Sequence, residues 1–204
     1  MAESGIALRT ITLAVTGASG SLLARQMLRA LEADERVSRV NLVCTDAALR
    51  VMAEELGVSG RNEIAHQLLG AVPRKTQLQN NQDIGANIAS GSYPTDAMIV
   101  LPCSAGTLAK IANGIADKLL ERAADVCLKE GTPLVLCLRE TPFNRVHLRN
   151  MALAAEAGAT IYPVIPAFYS HPATIDDLVR HFVCRVLKHI GLPQSGAYVW
   201  KPQQ

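Results

Sequence analysis

Short apolar runs alternate with amphipathic stretches along most of the chain, and the two periods predict strands and helices in turn. Residues 11–15 form a run rich in β-branched side chains that stops at Thr16-Gly17-Ala18-Ser19-Gly20, and residues 21–31 follow with helical spacing. A second run, 40–44, predicts a buried strand, after which residues 46–56 place Ala47, Val51 and Leu56 along one side of a helix. Runs at 97–101 and 134–138 repeat the theme, each closing on a polar cluster: Pro102-Cys103-Ser104 in one, Arg139-Glu140-Thr141-Pro142 in the other. A last strand over 160–162 leads through a Pro-rich loop to a helix over 175–190. Residues 57–92, with the polar stretch 77–83, are the least regular and read as a long surface excursion or a subunit contact.

Strands this continuously apolar must be buried on both faces. Alternating with helices, they predict an α/β fold, a doubly wound Rossmann or flavodoxin-like parallel sheet with helices on both faces. Residues 1–204 read as a single domain. Ligands bind such sheets beyond the carboxyl ends of the strands, so the polar clusters at the strand ends are where chemistry is expected.

Composition narrows the class. At 49% hydrophobic and 19% charged residues the chain can bury a large core and is not disordered; at 4% aromatic, that core is aliphatic. Twenty Lys and Arg against 18 Asp and Glu, evenly spread, leave a net charge of +2, which argues against a nucleic-acid partner. No apolar run reaches the roughly 18 residues of a membrane span, and residues 1–5 lack the basic start of a secretory leader, so a cytoplasmic protein without membrane contact is expected. The five cysteines never form CxxC and read as free buried thiols, and the five histidines have no metal-ligand spacing.

Gly17, Ala18 and Ser19 sit where a strand feeds a helix, so their backbone amides and the helix dipole suit a phosphate. The same turn also serves as a plain tight connection. A nicotinamide dehydrogenase of the short-chain kind would pair a tyrosine with a lysine four residues on, but Ala97, Pro166, Ala173 and Pro202 stand at those places. Cys103, Ser104, Ala105, Gly106 and Thr107 offer hydroxyls and open amides at another helix start, either as an ordinary N-cap or as the second wall of a cleft. Cys103 has no histidine nearby in sequence to activate it as a nucleophile. Arg122 and Lys129, seven apart, project from one side of a helix over 119–129, while Arg139, Glu140 and Arg185 interrupt apolar segments. Each fits a solvated or ion-paired surface; together they supply cations for a dianionic substrate. Trp200, the only tryptophan, lies in a tail over 191–204 and serves as an anchor or in a neighbouring subunit's site.

Together the motifs resemble the UbiX-type flavin prenyltransferases, once described as aromatic-acid decarboxylases. The resemblance runs through Thr16-Gly17-Ala18-Ser19-Gly20, Ala89-Ser90-Gly91-Ser92, Pro102-Cys103-Ser104, Glu121-Arg122-Ala123-Ala124-Asp125, Arg139-Glu140-Thr141-Pro142 and Pro166-Ala167-Phe168-Tyr169. It departs from the family at Leu22-Leu23-Ala24, where an aromatic residue and a glycine are common, and at Thr45-Asp46, where Ser-Lys is common. It implies transfer of a dimethylallyl group from dimethylallyl phosphate to reduced FMN, without a metal. The product, prenylated FMN, is passed to a UbiD-type decarboxylase. It also implies a homo-oligomer, a dodecamer, with FMN at subunit interfaces and the tail on a neighbour. By the same resemblance Gly17, Ala18, Ser19, Thr45, Cys103 to Thr107 and Arg139 contact FMN. Tyr169 and Arg185 bind the donor phosphate, and Arg122, Lys129, Glu140 and Trp200 complete the catalytic site. An FMN-dependent cysteine-type decarboxylase and a non-catalytic flavin-binding or delivery protein are the competing readings.

Overall fold

The computed structural model describes residues 8–200, which leaves the leader reading at residues 1–5 and the last four residues of the tail outside the described part. Six strands, β1 (Arg9–Val15), β2 (Val37–Cys44), β3 (Thr76–Gln79), β4 (Ala97–Cys103), β5 (Leu134–Leu138) and β6 (Thr160–Ile161), form one sheet in the order β3-β2-β1-β4-β5-β6. All five pairings are parallel. The order reverses between β1 and β4, which opens a crevice at their carboxyl ends.

Seven helices cover the sheet: α1 (Ser21–Ala33), α2 (Asp46–Leu56), α3 (Ile64–Leu69), α4 (Ala105–Ala112), α5 (Leu119–Glu130), α6 (Arg145–Glu156) and α7 (Ile175–His189). Ile11, Leu13 and Val15 of β1 pack with Met27 and Leu28 of α1, Met52 of α2, Leu68 of α3 and Val183 of α7. Ala14, one residue out of step, faces the other way with Leu108 of α4, Ala124 of α5 and Ala154 of α6. The period of two along each strand thus feeds two cores, which is why the strands read as unbroken apolar runs. None of the described helices is long and apolar enough to cross a membrane.

Three expectations need correction. The irregular stretch 57–92 is no excursion: it carries α3, whose Ile64, Ala65 and Leu68 are buried, and the sixth strand β3. That strand, Thr-Gln-Leu-Gln, lies at the sheet edge, so its sequence is polar and gives no apolar run. On α2 it is Ala48 and Met52 that reach the core, one position on from the predicted Ala47 and Val51. The third buried run continues through Pro102, so Cys103 belongs to β4 rather than to the turn after it.

The start of the tail returns to its own chain. Leu192 is buried, Arg36 Nη2 donates to the Pro193 carbonyl at 2.9 Å, and Gln194 Nε2 donates to Asp34 at 2.9 Å. Hydrogen bonding from Arg36 is the main reason the Asp34 carboxyl is held far below its ordinary pKa, against the opposing effect of burial. This anchor directs residues 197–200 back over the loop that carries Tyr169, where Tyr198 and Trp200 meet the Tyr169 ring.

Candidate active site

The two turns that flank the crevice are stitched together by Thr16. Its hydroxyl donates to the Pro102 carbonyl at 2.8 Å and accepts from the Ser104 amide at 2.8 Å, so the end of β1 fixes the start of α4. Gly17 lies so close to α2 that a Cβ there would overlap the Ala47 side chain. Gly20 has φ +121°, a conformation that side-chain-bearing residues rarely adopt, and it turns the chain into α1.

Two amides at the start of α1 are already occupied. The Glu55 carboxylate from α2 accepts from Gly20 N at 3.1 Å and from Ser21 N at 2.7 Å. At Gly20 and Ser21, then, the anion at this helix dipole is the protein's own side chain, while the backbone amides of Gly17, Ala18 and Ser19 do not donate to it. Partial burial works to raise the Glu55 pKa, but hydrogen bonds from Ser19, Ser21 and Gly20 outweigh it and hold the carboxyl below its ordinary value. Glu55 is the residue that the sequence reading missed. It lies 35 positions from Gly20 on an exposed helix face, with no local motif to mark it.

The start of α4 is open. Ser104 is its N-cap, accepting from Thr107 N at 3.2 Å and donating to the Thr107 hydroxyl at 3.1 Å, so the ordinary capping role is present. The Ala105 and Gly106 amides have no partner among the described residues, and a Cβ on Gly106 would meet open space. Cys103 contributes only backbone: its side chain is fully buried, burial pushes its thiol up to about 12, and its carbonyl accepts from Arg139 N at 3.0 Å. That bond sets Arg139, exposed, beside the crevice. Thr45 caps α2 by accepting from Ala48 N at 3.0 Å. Asp46, which stands where the family commonly has lysine, is paired with Arg61.

Beyond β6, the Val164 amide donates to the Leu138 carbonyl at 2.8 Å, so the loop to Tyr169 leaves the sheet beside Arg139. There Arg185 of α7 donates from Nη1 to the Tyr169 hydroxyl at 3.0 Å. Contacts with the Tyr162 phenol, and then with Tyr169, raise the guanidinium pKa, so the charge is permanent. The pair borders a cleft of about 730 Å3 that Tyr162, Lys188, His189, Tyr198 and Trp200 also line. The Trp200 ring meets Tyr169 edge-on at 6.1 Å. An adjoining apolar pocket of about 310 Å3, with Ile161, Ile165 and Phe182, shares Tyr162, Tyr169 and Arg185. Five of the chain's eight Phe, Tyr and Trp residues thus gather at this one place.

The remaining predicted residues lie elsewhere. Arg122 and Lys129 are on α5, which packs on the opposite face of the sheet from α7, and each pairs with a carboxylate at 2.8 Å, Asp125 and Glu130 respectively. Within one chain, then, they do not join Tyr169 and Arg185. Glu140 is half-buried and accepts from Thr141 N at 3.0 Å.

A Rossmann-like sheet with open amides and an arginine at its crevice defines a nucleotide- or flavin-binding class, and a family model described as Flavoprotein matches residues 3–187. The flavin prenyltransferase UbiX of Alkalihalophilus pseudofirmus is 41% identical over 189 residues, 92% of this chain and 94% of its own length. A crystal structure of AnUbiX (PadA1) in complex with FMN and dimethylallyl pyrophosphate has a TM-score of 0.86 at 38% identity, covering 97% of this chain and all of that one. The dodecameric FMN-dependent UbiX-like decarboxylase from Escherichia coli O157:H7 has a TM-score of 0.85 at 41% identity, over 95% of this chain and 100% of the other. The chain belongs to the UbiX flavin prenyltransferase family.

Proposed function

We propose that this chain joins the dimethylallyl group of dimethylallyl phosphate to reduced FMN, releasing phosphate and giving prenylated FMN. The observation that carries this reading is the Arg185–Tyr169 pair at an aromatic-lined cleft. A permanent cation with a phenol hydroxyl beside it is chemistry for phosphate oxygens, and rings beside it suit an allylic group. The competing cysteine-type decarboxylase and flavin-delivery readings have no use for a phosphate clamp next to the flavin cleft.

The residues at the crevice fit FMN. Open amides at Ala105 and Gly106, the Ser104 and Thr107 hydroxyls and the exposed Arg139 provide donors to phosphate and ring oxygens, and Gly17, Ala18, Ser19 and Thr45 line the facing turns. When bound in reduced form, the flavin supplies the nucleophilic ring atoms that accept the prenyl unit.

Arg185 and Tyr169 hold the donor phosphate and stabilise the charge that builds on its bridging oxygen as the allylic C–O bond breaks. The indole face of Trp200 favours positive charge developing on the dimethylallyl carbon. The Glu140 carboxylate takes the proton released on ring closure. In this reading Arg122 and Lys129 reach the same site from a neighbouring copy. In the tail Tyr198, Val199 and Trp200 are exposed, and the start of α6 exposes Val146 and Leu148, apolar surface suited to contact with such copies. We read the assembly as a homo-oligomer, a dodecamer, working in the cytoplasm and passing prenylated FMN to a UbiD-type decarboxylase.

The product is tested by transfer. An anaerobic reaction of this chain with reduced FMN and dimethylallyl phosphate should activate a cofactor-free UbiD-type decarboxylase, and a mixture lacking the prenyl donor should not. Equal activation without the donor would contradict the assignment.

A further inference from the structure

His181 stands on the second turn of α7, where the 730 Å3 cleft, the apolar pocket and a third cavity of about 370 Å3 meet. Its Nε2 lies 3.3 Å from the Tyr169 hydroxyl, and its ring meets Tyr169 edge-on at 5.5 Å and Tyr198 at 6.1 Å. Four residues on, Arg185 donates to the same hydroxyl at 3.0 Å. A guanidinium can only donate, so the phenol oxygen is its acceptor and the phenolic proton is left for His181 Nε2. That arrangement uses neutral histidine with its own proton on Nδ1.

The charged and titratable groups around the imidazole come from three elements. On α7 they are Asp177, Arg180, Cys184, Arg185 and Lys188; on the preceding loop, Tyr162, Tyr169 and His171; on the tail, Tyr198. His189 lines the same cleft further along α7, where its Nε2 is 3.1 Å from the Thr160 hydroxyl. Burial first, and then the Arg185 charge, lower the His181 pKa, so the neutral state is the one the free site favours near neutral pH.

We propose that His181 is a positioning residue of the phosphate clamp, taking up one proton from solvent when a dianion docks on Arg185 and Tyr169. The inference rests on the reading of that pair as the donor-phosphate site. A dianion beside the imidazole favours its charged form. Once protonated, Nε2 no longer accepts from Tyr169, so the phenolic hydrogen is free to turn to a phosphate oxygen, and Nε2–H becomes a further donor. One proton thus adds a cation and redirects a hydroxyl at the moment the anion arrives.

Sulfate is the probe, because its charge does not change over the range tested. Binding to the FMN-loaded protein is measured by calorimetry at constant ionic strength from about pH 6 to about pH 8, bracketing the histidine range. Affinity should fall as pH rises, by up to about tenfold per unit, with proton uptake visible as a buffer-dependent heat. His181→Gln keeps an acceptor for the phenol but cannot charge; it should bind at the wild-type high-pH affinity throughout, with no proton uptake. His189→Gln should retain the wild-type slope. The same slope in His181→Gln as in wild type would overturn the proposal. Undiminished sulfate binding in Arg185→Ala at the lowest pH would instead overturn the clamp itself, so the two failures are distinguishable.

Discussion

The Glu55 carboxylate accepts a 2.7 Å hydrogen bond from the Ser21 amide, so α2 supplies the anion that caps α1. The bond ties together the two helices that follow the first two strands of the sheet. It also distinguishes the two strand ends: Gly20 N and Ser21 N at α1 are taken by Glu55, whereas the Ala105 and Gly106 amides at the start of α4 have no partner among the described residues.

Removing this cap should cost stability in a pH-dependent way. Glu55→Ala is expected to lose about 1 kcal/mol at neutral pH, the usual worth of a helix N-terminal cap. The folded-state pKa lies below the unfolded one, so the contribution is present above the unfolded value and disappears as pH falls through the folded value. Urea unfolding of wild type and variant at neutral pH and in acid checks this: the gap should close in acid, and a gap that stays constant would contradict it.

Gly17 tests the close approach between the glycine turn and α2. Gly17→Ala places a methyl group into the Ala47 side chain and should destabilise the fold by about 1–3 kcal/mol, with weaker FMN binding as the turn shifts. Thermal unfolding and quenching of flavin fluorescence report the two effects. Unchanged melting would mean that the turn has room to spare.

Arg185→Ala separates donor from flavin. Loss of a guanidinium bonded to Tyr169 and facing the donor phosphate should cost about 2 kcal/mol in kcat/KM for dimethylallyl phosphate, roughly 30-fold. Oxidised FMN should bind as in wild type. Equal losses for donor and flavin would assign the arginine to the wrong ligand.

The cysteines should divide by burial. Cys103 and Cys137 are fully buried and Cys44 and Cys127 nearly so, and burial pushes the thiols of Cys44, Cys103 and Cys127 up to about 12. Only Cys184 is partly accessible. Mild alkylation of the native protein followed by peptide mapping should modify Cys184 alone, and Cys103→Ala should retain prenyl transfer. Rapid labelling of Cys103 would revive it as a nucleophile.

Much of this architecture is legible in the sequence, for identifiable reasons. Strands buried on both faces announce themselves as apolar runs, so β1, β2, β4 and β5 stand out, while β3, polar and at the edge, does not. The strand-end clusters at Gly17 and Ser104 are local motifs and were readable as such. Glu55 and His181 were not, because what they do depends on partners 34 and 12 positions away. Arg122 and Lys129 share a helix side with each other, yet the sheet lies between that helix and Arg185, and a one-dimensional spacing carries no information about which face of the sheet a helix covers.

The central claim is tested most directly by the mass of the flavin. The chain is incubated without oxygen with reduced FMN and dimethylallyl phosphate, and the flavin is released and analysed by mass spectrometry. The account predicts FMN heavier by one five-carbon prenyl unit, with phosphate released in equal amount. FMN of unchanged mass, under conditions where the flavin and the donor both bind, would contradict it.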